Sequence, residues 1–296
     1  MKMYKLIAID LDGTLLNSFG IVTEETKNEI KKIQQQGTDV ILASGRPIDS
    51  IKAIADEIDS KKYFIAGNGA IVYDMKKDEI IYEKCLSKQK VLDIIKICED
   101  NSIGYSLYTE KEILTKNLKY NVLYYHKENL KKPEGKRTKI NIINDMYEYV
   151  KNNENSNFLK ITICDEDKSV FNSIIRKLRE IKDIEVLDVS HMARKTIKQG
   201  TEEIPIEYYY TEISRANVDK WYAIEFLAEK LNIKKEEIMA IGDNINDKKM
   251  IENAGLGVAM EQSTPVVINI ADEVTTSNNS DGVAKILQKY YKNINF

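Results

Sequence analysis

Four short apolar runs in this chain each stop abruptly at polar residues, and that pattern restricts the fold more than any other feature. Leu6-Ile7-Ala8-Ile9 stops at Asp10, and Asp39-Val40-Ile41-Leu42-Ala43 stops at Ser44. Tyr63-Phe64-Ile65-Ala66 stops at Gly67-Asn68-Gly69, and Ile238-Met239-Ala240-Ile241 stops at Gly242-Asp243. Runs this short and this uninterrupted suit strands buried on both faces, as in a parallel sheet. Helical patterns lie between them. Thr23 to Gln36 reads as a helix stopped by Gly37. Pro47 suits the first turn of another, whose apolar stripe is Ile48, Ile51, Ile54, Ala55 and Ile58. Strand and helix in alternation predict an α/β fold with a doubly wound, Rossmann-like parallel-sheet core.

The pattern changes after Glu83. Ser87 to Asp100 reads as an amphipathic helix. Phe158 to Cys164 alternates, with Leu159, Ile161 and Ile163 on one face and Lys160 and Thr162 on the other. Ile204, Ile206, Tyr208 and Tyr210 alternate likewise. Alternation predicts a sheet with one packed face and a second face that is wet or covers something, and the middle third reads as an α+β layer with a half-exposed sheet. The α/β style returns near Val218, with a helix over Lys220 to Leu231, a strand over Gly255 to Met260 and a closing helix over Gly282 to Tyr290. The expected organisation is a split core, 1–83 and 212–296, with an inserted α+β domain at 84–211. A chain of 296 residues accommodates both.

Composition narrows the partners. A net charge of −3 with 31% charged residues leaves no strongly basic face, so no nucleic-acid partner is expected. The basic stretch from Lys127 to Lys139 reads as a solvated loop. Cys85, Cys98 and Cys164 form no C-x-x-C pair, which points to a reducing, cytoplasmic setting. His126 and His191 are too few for a histidine-rich metal site. Charges interrupt every apolar run before it reaches spanning length, so no membrane partner is expected.

In an open α/β sheet, ligands sit beyond the carboxyl ends of the strands. Asp10 and Asp12 stand two apart at one such end, and Asp243 and Asp247 follow another. Carboxylates at a buried strand end are costly unless a cation pairs with them, and magnesium (Mg2+) takes hard oxygen ligands of this kind. One carboxylate can attack phosphorus while a second handles protons. Ser44-Gly45-Arg46, a hydroxyl and backbone N–H groups at a helix start, can hold phosphate oxygens. Lys220 offers a cation to a transferring phosphoryl group. Each motif alone also fits an ordinary turn, cap or surface position.

In this order the motifs resemble those of the haloacid dehalogenase-like hydrolase superfamily, closest to its Cof-type branch of sugar-phosphate phosphatases with a large α/β cap. Asp10-Leu11-Asp12-Gly13-Thr14-Leu15 matches the first motif, Ser44-Gly45-Arg46-Pro47 the second and Gly242-Asp243-Asn244-x-Asn246-Asp247 the fourth. Lys220 stands at the third, and Asn68-Gly69-Ala70 matches a segment usual in this branch. The resemblance implies a Mg2+-dependent phosphatase acting on a small phosphorylated metabolite. Asp10 would be the nucleophile and Asp12 the general acid/base. Asp10, Asp12 (through its carbonyl) and Asp243 would hold the metal. Leu11, Ser44, Gly45, Lys220 and Asn246 would hold phosphate, and Asp247 would support the metal and the lysine. Arg46, Asn68 and Tyr209 are candidate substrate contacts, Tyr209 because it faces away from Tyr208 and Tyr210. A phosphosugar mutase of the same superfamily, or a catalytically retired binding module, are the alternatives. One position departs from the pattern: Trp221 follows the lysine where the family usually has a small residue.

Overall fold

A computed structural model describes residues 4–130, 134, 137–153, 157–187, 192–199 and 202–291. The chain divides into two compact units. One comprises the chain up to Arg46, Ile51–Glu83 and Val218 onward; the other comprises Pro47–Ser50 and Lys84–Asn217.

The first unit is built on an eight-stranded sheet. Its strands are β1 (Leu6–Ile9), β2 (Asp39–Ala43), β3 (Tyr63–Ala66), β4 (Ile71–Asp74), β5 (Glu79–Glu83), β13 (Ile238–Gly242), β14 (Leu256–Met260) and β15 (Glu273–Thr275). Their order is β15-β14-β13-β1-β2-β3-β4-β5. All pairings from β15 to β3 are parallel, and β4 and β5 complete the sheet as antiparallel strands. The four apolar runs of the sequence are β1, β2, β3 and β13, and their carboxyl ends share one edge. The chain leaves β1 toward β2 on one side, and β13 lies on the other. The switch point of this doubly wound sheet therefore falls between β1 and β13, where ligands of such sheets bind.

Each face of the sheet is covered. Leu6, Ala8, Ile41, Ala43 and Ile65 pack against α7 (Lys220–Leu231), α8 (Lys248–Asn253) and α9 (Pro265–Ile270), through Ala223, Ile224, Leu227, Met250, Ile251 and Val267. Ile7, Ile9, Leu42 and Phe64 alternate to the opposite face and are equally buried. Helices α1 (Glu24–Gln35) and α10 (Gly282–Tyr291) bury Ile30, Ile33, Ile286 and Leu287. Helix α1 starts where Thr23 caps the Thr26 N–H. Helix α2 (Ile48–Glu57) follows β2. Trp221, the departure in the third motif, is buried in the α7 side of this core with the Lys235 ammonium 5.9 Å from its ring. Successive helical residues point about 100° apart, so Trp221 fills the core without displacing Lys220.

The second unit holds β6 (Gly104–Thr109), β7 (Ile113–Thr115), β8 (Ile140–Ile142), β9 (Phe158–Asp165), β10 (Ile184–Val186), β11 (Met192–Gln199) and β12 (Glu202–Arg215). The order is β10-β12-β9-β6-β7-β8, with β11 paired to β12. Helices α3 (Lys88–Asp100), α5 (Met146–Asn152) and α6 (Lys168–Arg179) pack on the face carrying Leu107, Ile161, Ile163 and Ile213.

Two expectations change here. The alternating strand β9 is not half-exposed: Lys160 and Thr162 are as buried as Ile161 and Ile163. Helix α4 (Tyr120–Leu130) joins parallel strands β7 and β8, and it carries Val122 and Tyr125 onto Tyr108 and Ile113, on the face away from α3. Lys160 is neutralised there by Glu212 at 2.6 Å. Tyr209 is the second change: its ring lies 5.9 Å from Phe171 of α6, in the helix-packed face. Tyr208 occupies the other face, fully buried, and donates its hydroxyl to Asn121 at 2.5 Å. The side chains of Ile204 and Ile206, together with His191, Lys131, Lys132 and Lys136, lie outside the described residues.

Gly257 in β14 tests the packing that seats α8. A Cβ there would run into the backbone carbonyl of Ile251. Gly257→Ala is expected to destabilise the fold by about 1–3 kcal/mol through overpacking, read as a lower urea midpoint with unchanged slope.

Candidate active site

The polar residues at the strand ends converge on a buried lysine. Lys220 is the first residue of α7, placed by Asp219, which caps the Tyr222 N–H at 3.0 Å. Its side chain has no exposed surface. Its ammonium donates to Asp10 Oδ1 at 2.5 Å and to Asp247 Oδ1 at 2.6 Å. The second oxygen of Asp247 accepts the backbone N–H groups of Asp243 and Asn244, each at 3.0 Å. Asp247 is thus held at both oxygens and in turn shapes the turn that carries Asp243. Both partners push the Lys220 pKa upward against its burial, so the lysine is charged.

Two glycines permit this crowding. Gly13 has φ +89, and a Cβ there would collide with the Asp243 carboxylate. A Cβ on Gly242 would stand 2.6 Å from that of Asp247. The chain after Asp10 turns back tightly, with the Leu15 N–H on the Asp10 carbonyl at 3.1 Å. Thr14 donates to Asp243 Oδ1 at 3.3 Å.

Asp10, Asp243 and Asp247 each offer an oxygen within 4.8 Å of the others. Three carboxylates thus surround one ammonium, and the excess negative charge is visible in their protonation. Burial first, then the charge of Asp247, push the Asp10 carboxyl up to about 7, against the pull of Lys220. Burial first, then Asp10 and Asp247, push Asp243 up to about 8. A divalent cation on the Asp10 and Asp243 oxygens would remove that repulsion, and hard carboxylate oxygens suit Mg2+.

Asp12 is more open, with half its side chain exposed. The buried Arg46 grips it bidentately, Nε to Oδ2 at 2.7 Å and a terminal N–H to Oδ1 at 2.5 Å. The Ser44 hydroxyl, itself buried, accepts the Arg46 backbone N–H at 3.2 Å. Gly45 and the buried Leu11 sit at the neighbouring strand ends. Asn246 donates from Nδ2 to Asn68 Oδ1 at 3.0 Å. The site therefore gathers Asp10, Asp243, Asp247 and Lys220 directly, and ties Asp12 to Arg46 and Asn246 to Asn68. Tyr209, in the second unit, packs against Phe171. Sequence reasoning did not single out Thr14 or Gln262, whose amide donates to the Gly13 carbonyl at 2.5 Å. Thr14 lies inside the first motif and was within reach; nothing local to Gln262 marks it.

A family model described as haloacid dehalogenase-like hydrolase matches residues 7–287. The chain belongs to the haloacid dehalogenase-like hydrolases. Phosphatase YwpJ of Bacillus subtilis (strain 168) is 28% identical over 293 residues, covering 96% of this chain and 99% of the relative. The 5-amino-6-(5-phospho-D-ribitylamino)uracil phosphatase YcsE of the same strain is 25% identical, covering 97% and 95%. A solved haloacid dehalogenase-like hydrolase from Bacteroides thetaiotaomicron superposes with a TM-score of 0.77 at 28% identity, covering 97% of this chain and all of the other. As a haloacid dehalogenase-like hydrolase with phosphatase relatives along nearly its whole length, this chain is a phosphoric monoester hydrolase. No helix among the described residues is long and apolar enough to cross a membrane.

Two outcomes follow from the charge balance. Lys220→Met leaves two buried carboxylates without their ammonium, and is expected to cost about 3–5 kcal/mol, read by urea unfolding at neutral pH. The second concerns pH. Asp10 and Asp243 titrate above their ordinary 3.8 when folded, so between about 4 and 8 the folded chain holds protons that the unfolded chain has released. Their contribution to stability is complete below pH 4 and is lost as pH rises to 8. In the presence of a chelator, the melting temperature of Asp243→Asn should therefore gain on that of the unaltered protein as pH rises across that window. A difference that ignores pH would contradict the charge assignment.

Proposed function

We propose that this phosphatase moves the phosphoryl group of a small phosphorylated metabolite onto Asp10 and then releases it to water, with Mg2+ bound. The observation that carries this reading is the buried Lys220–Asp10 pair beside Asp243, at the switch point of the sheet. Asp10, Asp243 and the main-chain carbonyl of Asp12 would hold the ion, which neutralises charge on the transferring group. An Asp10 carboxylate oxygen attacks phosphorus and the ester P–O bond breaks. Asp12 gives a proton to the departing oxygen, then takes one from the water that attacks the aspartyl phosphate. That second attack returns Asp10 and frees inorganic phosphate. Lys220 offsets negative charge on the phosphoryl oxygens, which the Leu11 N–H, Ser44, Gly45 and Asn246 also hold. Arg46 fixes the direction of the Asp12 carboxylate.

The second unit would act as the cap that selects the leaving alcohol. The name of the YcsE relative, which specifies a phosphorylated ribityl group, supports a hydroxylated, sugar-like leaving group. Cys85, Cys98 and Cys164 as thiols support a cytoplasmic setting. Purified protein is expected to release phosphate from p-nitrophenyl phosphate with Mg2+, and to lose that activity in EDTA. Asp10→Asn should lower turnover by about 10⁴-fold or more, as loss of a nucleophile does. Full turnover by Asp10→Asn would overturn the mechanism.

A further inference from the structure

The turn Gly67–Asn68–Gly69 touches the second, third and fourth motifs. It follows β3 as a single 3₁₀ turn, with Asn68 in the left-handed region at φ 57, ψ 33. Its backbone is stapled to the second motif: the Asn68 N–H donates to the Ser44 carbonyl at 2.9 Å and the Gly67 N–H to the Arg46 carbonyl at 3.2 Å. Gly69, at φ +104, lies so close to the Asp219 carbonyl that a Cβ would collide with it. Asp219 caps the helix that begins with Lys220. The Asn68 side chain reaches the fourth motif through Asn246, 178 residues away in sequence.

Asn246 is a carboxamide, with two N–H donors on one side and an acceptor oxygen on the other. Turned one way it offers N–H to a phosphate oxygen; turned the other it offers a repelling oxygen. Asn68 Oδ1 accepts one N–H of Asn246. That contact selects the turn of the amide and leaves its second N–H, on the same nitrogen, for an anion. The left-handed backbone is one that Asn tolerates better than most residues and glycine better still.

We propose that Asn68 is a positioning residue: it contacts no substrate and acts by orienting the Asn246 amide so that it donates to phosphate. This rests on the phosphate-binding reading of Asn246 given above. Asn68→Gly is the informative variant, because glycine keeps the left-handed turn and removes only the carboxamide. Two constants are measured with Mg2+ present: inhibition of p-nitrophenyl phosphate hydrolysis by inorganic phosphate, and calorimetric binding of inorganic phosphate. Asn68→Gly is expected to weaken both by roughly tenfold, the scale of one hydrogen bond to a charged group, with the melting temperature unchanged. Asn246→Ala should weaken them at least as much. The double variant should be no weaker than Asn246→Ala alone, because the partner through which Asn68 acts is already gone.

Losses that add in the double variant would mean that Asn68 acts on the ligand itself, and would overturn the proposal. So would an Asn68→Gly protein that binds phosphate normally. In both cases an active, Asp10-dependent parent enzyme leaves the phosphatase mechanism standing. A parent protein that neither hydrolyses the ester nor binds phosphate would remove the mechanism and this proposal together.

Discussion

A lysine ammonium with no exposed surface, held between Asp10 and Asp247, is the contact on which the first unit is organised. A buried charge is tolerated only when its partners are fixed at hydrogen-bonding distance. Asp10 is fixed because β1 lies at the centre of the sheet. Asp247 is fixed because its other oxygen binds the backbone of the turn after β13. Lys220 is fixed because Asp219 starts its helix and Trp221 anchors that helix in the core. Each of these placements lies in a different part of the chain, so the site forms only when the sheet is complete.

The same convergence explains three of the chain's glycines. Around the buried lysine, Gly13, Gly242 and Gly69 are points where carboxylate or backbone atoms approach too closely for a Cβ. They let three strand-end turns meet around one group. The resulting excess of carboxylate over ammonium raises the protonation of Asp10 and Asp243. A cation on these oxygens would relieve that repulsion, and the sheet supplies the rigidity that keeps the carboxylates from moving apart.

The second unit shows where pattern reading reaches its limit. Polar residues alternate with apolar ones in β9, a pattern that by itself reads as a half-exposed face for Lys160 and Thr162. Their burial follows from α4, which must cross one face of the sheet to join the parallel strands β7 and β8. A polar side chain under such a crossover survives by finding a partner, as Lys160 does in Glu212. Tyr209 illustrates the complementary case: alternation correctly separates it from Tyr208, yet cannot say which face the helices will cover.

Much of the first unit was legible in the residues themselves. The strands, the polar residues that end them and the parallel order of the core follow from apolar runs and helix signals, because burial on both faces leaves a local record. The side chains able to do phosphoryl chemistry were legible for the same reason: they interrupt that record. Only the tertiary structure decided which of them meet. Lys220 joins Asp10 across 210 positions, Arg46 joins Asp12 across 34, and Asn246 joins Asn68 across 178. Hydrogen bonds of this length in sequence depend on strand order and on the close approach of turns, and neither quantity is written in any local stretch of the chain.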